Sequence, residues 1–198
     1  MIPRHLLIGV GIMLVIAVAM GLYVWHMSSI APQAAPVADT RPVAAPVSGP
    51  TEHVTLCVAY DESGVLANQP ADIALPQGRQ QRAEELLRAL LNLYLDKFSP
   101  HPLGPGSEIR AVYFVDPGLA VIDLNSPFAD GHRSGVLVEE LTVASLVETL
   151  SLNFPDIHRV KILVDGKERE TLAGHADLSN FYDVTAVHQM VEQLQPTQ

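Results

Sequence analysis

From Leu6 to Trp25 the chain reads LLIGVGIMLVIAVAMGLYVW, twenty residues without a charge. A helix of that length rises about 30 Å, enough to cross a bilayer's hydrocarbon core. Tyr23 and Trp25 sit at one end, where amphipathic rings favour the interface. Arg4 precedes the run, and no Lys or Arg follows until Arg41. The positive-inside bias therefore predicts a short cytoplasmic N-terminus (1–5), a signal-anchor helix (6–25) and everything after Trp25 outside the cytoplasm. That outer space is a periplasm if an outer membrane exists. A cleaved signal peptide is the alternative. Its apolar region is usually shorter, and the nearest small-residue site, Ser29-Ile30-Ala31, is followed by Pro32, a poor residue after a cleavage point.

Residues 26–51 read as a disordered linker, with Pro32, Pro36, Pro42, Pro46 and Pro50 spaced among Ala and Val. Proline removes amide donors and biases its neighbours to extended conformations, so both helix and sheet are disfavoured. At about 3.1 Å per residue such a spacer reaches roughly 70 Å. Past the anchor, Lys+Arg falls from 12 to 11 against 22 Asp+Glu, so the remainder carries −11. That acidity argues against nucleic acid, which is gripped by clustered cations, and against a domain lying on anionic lipid. Cys57 is the only cysteine, which excludes an intramolecular disulfide and a cysteine-built zinc site.

The folded part follows the linker. His53–Tyr60 alternates like a strand, with Val54, Leu56, Val58 and Tyr60 on one face and Cys57 on the other. A Gly-, Pro- and Asp-containing loop leads to a helix from Arg79, with Ala83, Leu86, Leu87, Leu90, Leu91, Tyr94 and Leu95 as its buried stripe. Two strands around Asp116-Pro117-Gly118 form a hairpin. A second helix over 135–153 places Leu137, Leu141, Ala144, Val147 and Leu150 on one side. A strand through Val160, Ile162 and Val164 ends at the turn pair Asp165-Gly166, and a closing helix is predicted over 183–194. The order is β-α-β-β-α-β, an α+β two-layer sandwich with both helices on one face of a mainly antiparallel sheet.

The run Arg79–Leu91, the stretch Pro105-Gly106-Ser107-Glu108-Ile109, and Leu119–Phe128 with Asp123 inside it recur in order with Glu139-Glu140-Leu141. Val160–Lys167, carrying Asp165 and Gly166, and Glu170–Ser179, carrying Gly174, His175, Asp177 and Ser179, complete the set. Together these resemble the GerMN domain, named for a sporulation and spore-germination protein, over about 52–181, leaving 182–198 as a closing helix and tail. The resemblance implies an extracytoplasmic bacterial domain on a lipoprotein or membrane anchor, linked to envelope or spore assembly, with a fold similar to ring-building modules. It supplies no catalytic residues and no cofactor. Cys57 lies inside a strand with no small residue beside it, so the apolar helix takes the place of a lipid anchor.

Gly174-His175-Ala176-Asp177-Leu178-Ser179 sets His, Asp and Ser close together, but no G-x-S-x-G elbow precedes a helix. The plainer account is a turn held by His175 and Asp177 through backbone hydrogen bonds. Asp130, His132 and Arg133 lack the spacing of metal ligands. Glu139 and Glu140 diverge by about 100° on a helix and suit the positive end of its dipole. Asp123, Asp165, Gly166, Gly174, His175, Asp177 and Ser179 therefore stand as structural or interaction residues. No catalytic, cofactor or metal residue is assigned. The expected function is a non-enzymatic module that binds itself or envelope proteins, a role suited by the exposed second face of a two-layer sheet and by the long spacer; Cys57 is expected to be a small buried or half-buried residue, with a partner over its face as the alternative. A peptidoglycan-binding module and an uncharacterised hydrolase are the alternatives.

Overall fold

The computed structural model describes residues 50–116 and 118–195, together with residues 13, 14, 17, 18 and 20. Those last five are helical. The rest of the Leu6–Trp25 run, and nearly all of the 26–51 linker, lie outside the described residues. Among the described residues no helix is long and apolar enough to cross a membrane.

Ten elements build the folded unit. A hairpin comes first: β1 (Thr51–Tyr60) pairs antiparallel with β2 (Val65–Ala74) across ten residue pairs, and this pair is a sheet by itself. After α1 (Arg79–Leu95) come β3 (Ile109–Asp116), β4 (Leu119–Leu124), the short α2 (Ser126–Asp130) and α3 (Val136–Asn153). The chain closes with β5 (Arg159–Val164), β6 (Tyr182–Asp183) and α4 (Val184–Gln193). The second sheet runs β3-β4-β5-β6. β3 and β4 form the antiparallel hairpin expected around Gly118, whereas β4 and β5 are parallel, joined through α2 and α3.

The fold is α+β, but two features of the expected sandwich are replaced. The single β-α-β-β-α-β sheet is two sheets, because the loop expected after β1 contains β2. Its sequence, VLANQPADIA, hides the strand: Ala, Asn, Gln and Asp alternate weakly, and Pro70 sits in mid-strand. Proline is tolerated there because β2 is an edge strand, with no further strand beyond it among the described residues.

The second change concerns α3. Instead of one apolar stripe, it buries Glu139 and every residue from Leu141 to Leu150, as a helix at the centre of a core does. Leu137, expected in that stripe, is exposed. The polar residues of α3 complete the backbone of β1, whose free edge would otherwise bury unpaired amides and carbonyls. Thr149 Oγ1 accepts the Cys57 N–H at 2.9 Å, and Ser145 Oγ donates to the Cys57 carbonyl at 2.8 Å. Asn153 Nδ2 donates to the Thr55 carbonyl at 2.7 Å. Tyr94 of α1 extends the series by accepting the Ala59 N–H at 2.9 Å. Ser145, Thr149 and Asn153 are spaced by four, one stripe of a helix.

Cys57 is the small buried residue expected from the sequence, and the alternative of a partner over its face falls. Leu56, Cys57, Val58 and Ala59 are all buried, so both faces of β1 are covered within the chain. The Cys57 side chain is fully buried within the chain, which leaves no room for a partner over it. Burial, with the nearby Glu148 carboxylate, pushes the thiol up to about 12, which leaves it inert.

Candidate functional site

The seven motif residues separate into two groups. Asp123, Asp165 and Gly166 fasten the turn after β5. Asp165 and Gly166 both have positive φ, 51° and 71°, the pairing of a tight turn for which Gly, Asn and Asp are suited. The Gly166 N–H donates to Asp123 Oδ1 at 2.7 Å. Arg110 bridges the two carboxylates, Nε to Asp123 at 3.1 Å and Nη1 to Asp165 at 2.7 Å, and the Ser126 hydroxyl adds a bond to Asp165. These bonds hold Asp165 below the usual carboxylate range, the Ser126 hydroxyl contributing most. The group is a clasp between the start of β3, the end of β4 and the β5 turn.

Gly174, His175, Asp177 and Ser179 lie on the long loop between β5 and β6. Two buried charges grip this loop from opposite ends. Glu139, fully buried in the first turn of α3, accepts the N–H groups of Ala173, His175 and Ala176 at 2.9, 2.9 and 3.0 Å. It also accepts the His175 ring at 2.9 Å and the Gly135 N–H at 3.1 Å. Burial pushes this carboxyl up, but the His175 ring and the three loop amides outweigh it and bring it down to about 2. Lys161, buried on β5, donates to the carbonyls of Leu178 and Ser179 at 3.0 and 2.6 Å. An acid thus collects the loop's donors and a lysine its acceptors. By sequence Glu139 is a helix-dipole acid and no more, since nothing local to it signals its loop partners 34–37 residues away.

The gripped loop makes one wall of a groove of about 540 Å³, with α3 and α4 as the others. Ala176, Val143, Val187 and Met190 give it an apolar floor, with Phe181 and Tyr182 beside them. Glu140, Asp177 and Asp183 stand around it, and no Lys or Arg lines it. Asp177 accepts the N–H of Ser179 at 2.8 Å and the Asn180 amide at 2.7 Å. Asp183 caps α4 through the Ala186 N–H at 3.1 Å.

Within this loop the Ser179 hydroxyl donates to Asp177, while the His175 ring turns away to Glu139 and Ser134. Histidine and serine are therefore not coupled as a nucleophile needs. A carboxylate–imidazole–hydroxyl array does exist elsewhere. Asp61 Oδ1 lies 2.5 Å from His101 Nδ1, and His101 Nε2 lies 2.7 Å from Thr142 Oγ1. Both His101 and Thr142 are 0% exposed, and the hydroxyl lies 2.9 Å from the Val138 carbonyl as its donor, so no substrate atom reaches it. His132 joins this cluster through Thr142, while Asp130 pairs with Arg169. Among the described residues no three His, Cys, Asp or Glu side chains are placed to hold a metal.

The Germane family, described as sporulation and spore germination, matches residues 55–170, more than half of the 198-residue chain. A candidate lipoprotein from Clostridium perfringens is similar at 18% identity with a TM-score of 0.46, covering 79% of this chain and all of that one. The tandem GerMN domains of the sporulation protein GerM from Bacillus subtilis give 19% and 0.48, covering 67% of this chain and 46% of that one. The first GerMN domain alone gives 20% and 0.47, covering 65% and 93%. No curated protein matches the chain. With its matched span running from within β1 through the β5 turn, this chain belongs to the sporulation and spore germination family of GerMN-like domains.

Proposed function

We propose that this protein is a membrane-anchored, extracytoplasmic interaction module of the cell envelope that works by binding a partner protein rather than by catalysis. The groove beside α4 carries this reading. It joins an apolar floor to a rim of three carboxylates, with Arg159 and Lys161 set back over the Phe181 ring at 5.3 and 5.7 Å. A surface of that composition complements a basic segment with apolar side chains between its charges. The anchor is the Leu6–Trp25 helix, with the N-terminus in the cytoplasm, and the proline-rich linker gives the domain its reach. The separation of His175 from Ser179 and the sealed position of Thr142 support a non-enzymatic role. Assembly of copies with one another, the habit of ring-building modules, belongs to the same reading.

One observation favours a second reading. Phe181 and Tyr182 lie together in the groove, and aromatic faces also pack against sugars, as a peptidoglycan-binding module would require.

A photo-crosslinking residue at Phe181, which is 52% exposed, tests both in native membranes. Protein adducts that disappear on Glu140→Lys support the partner reading. Adducts released by a muramidase favour the wall ligand. Efficient labelling with no adduct, or adducts indifferent to the charge at position 140, overturns the groove as the binding surface.

A further inference from the structure

The two sheets present four edges, and the chain blunts three of them. An open edge offers unpaired N–H and C=O groups to any extended chain, so folded proteins cover or interrupt it. On β1 the polar side chains of α3, with Tyr94, take that role. On β2 the Leu75 N–H bonds the Pro50 carbonyl just before β1, and alternation from there turns the even-numbered residues outward. Among these, Leu66 gives its N–H to the Leu194 carbonyl at 3.0 Å, and Pro70 has none to give. On β3 the Val112 N–H reaches Glu84 Oε1 of α1 at 3.3 Å.

Strand β6 is the exception. The Val184 N–H bonds the His158 carbonyl at 3.0 Å, and Tyr182 stands opposite Val160. The same alternation turns the main-chain groups of Tyr182 toward β5 and those of Phe181 and Asp183 away from the sheet. The Asp183 carbonyl starts α4. Three groups are left over, the Phe181 N–H and C=O and the Asp183 N–H, and they have no partner among the described residues. The groove runs along this edge. Asn180, Phe181, Tyr182 and Asp183 all line it, and successive strand residues point to opposite faces, so a groove that meets all four follows the edge rather than one face.

We propose that the groove takes its partner as an added strand: an extended segment of a partner protein pairs with the free edge of β6 and prolongs the β3-β4-β5-β6 sheet. This rests on the reading of the groove as a site for a basic segment with apolar side chains between its charges, and it gives that segment a conformation. In strand addition the main chain supplies affinity and alternate side chains supply specificity. Apolar residues at every second position of the segment reach the floor at Val143, Val187 and Met190. Arg159 and Lys161 stand over the Phe181 ring, so the segment's cations belong at its ends, near Glu140, Asp177 and Asp183, and not against Phe181. Asp177 and Asp183 already hold the Ser179 and Ala186 amides, which fixes these carboxylates before the partner arrives and lowers the ordering cost of binding.

The probe is the peptide acetyl-Lys-Val-Thr-Val-Lys-amide, with relatives N-methylated at one successive residue each, titrated into the ¹⁵N-labelled full-length chain in detergent micelles. The parent should shift the Phe181 and Asp183 amide signals saturably and slow their exchange. Because every second amide of an added strand faces β6, N-methylation should weaken binding by about tenfold at alternate residues and be tolerated between them. On the protein side, Asp183 has φ −77° and ψ 123°, a conformation that proline adopts. Asp183→Pro and Asp183→Ala lose the same carboxylate and cap, and the proline alone deletes the outward N–H. Asp183→Pro should therefore bind the parent peptide about tenfold more weakly than Asp183→Ala. Affinities that show no alternation along the N-methylated series, or that are equal in the two variants, overturn strand addition and leave the groove reading standing. No binding of the parent peptide at millimolar concentration overturns both. Protection of the same amides that grows with protein concentration before peptide is added puts a second copy on the edge and overturns a separate partner. If Asp183→Pro does not fold, the N-methylated series decides alone.

Discussion

Replacing Glu139 by glutamine should cost the domain about 3 kcal/mol at neutral pH, and the cost should vanish in acid. The size follows from the carboxyl's environment. Its pKa falls from an ordinary 4.5 to about 2 on folding, and a difference of that size is worth ~3 kcal/mol of stability once the group is ionised. In the structure the three loop amides all donate to Oε2, where a glutamine oxygen keeps them only as neutral-acceptor bonds, while its NH₂ group is turned toward the Gly135 N–H and the His175 ring that meet Oε1. The sign follows from the depressed pKa: the contribution is fully present above pH ~4.5 and is lost as pH falls toward ~2. Urea denaturation of the full-length wild type and Glu139→Gln, at steps from pH 7 to pH 2, measures both features. The gap between them should be about 3 kcal/mol at pH 7 and close progressively below pH ~4.5. A gap under about 1 kcal/mol at pH 7, or one that stays constant into acid, would refute the view that ionised Glu139 holds the 173–176 loop.

Two further outcomes are expected. Thr149→Val keeps the side-chain shape but leaves the buried Cys57 N–H without its acceptor, a loss of about 1–3 kcal/mol that the same denaturation reads; a neutral result would mean that α3 does not complete the β1 edge. Cys57 should resist iodoacetamide at pH 8 in the native protein and react only on unfolding, because burial has pushed its thiol up to about 12. Rapid native labelling, followed by mass spectrometry, would show that its face is open.

Much of the local structure is written in short-range pattern. The stripe of α1 reproduces Ala83, Leu86, Leu87, Leu90, Leu91 and Tyr94 as buried residues, and the turn residues around Gly118 and Gly166 locate the ends of strands. Strand β2 escaped because an edge strand has little apolar alternation to display. The all-round burial of α3 escaped for the opposite reason: Thr142, Ser145 and Thr149 look like a polar face until β1 is known to lie against them. The groove and the buried cluster around Thr142 were equally hidden. His101, His132 and Thr142 are unremarkable singly, and Asp61 lies 40 residues from His101.

The apolar run, the linker, the acidity, the order of most elements and the family motifs are properties of neighbouring residues, so the chain declares them without folding. Which strands share a sheet, which acid collects the loop amides, and which hydroxyl lies between two imidazoles depend on contacts between residues far apart in sequence. Those contacts exist only once burial removes the water that would otherwise satisfy each group separately.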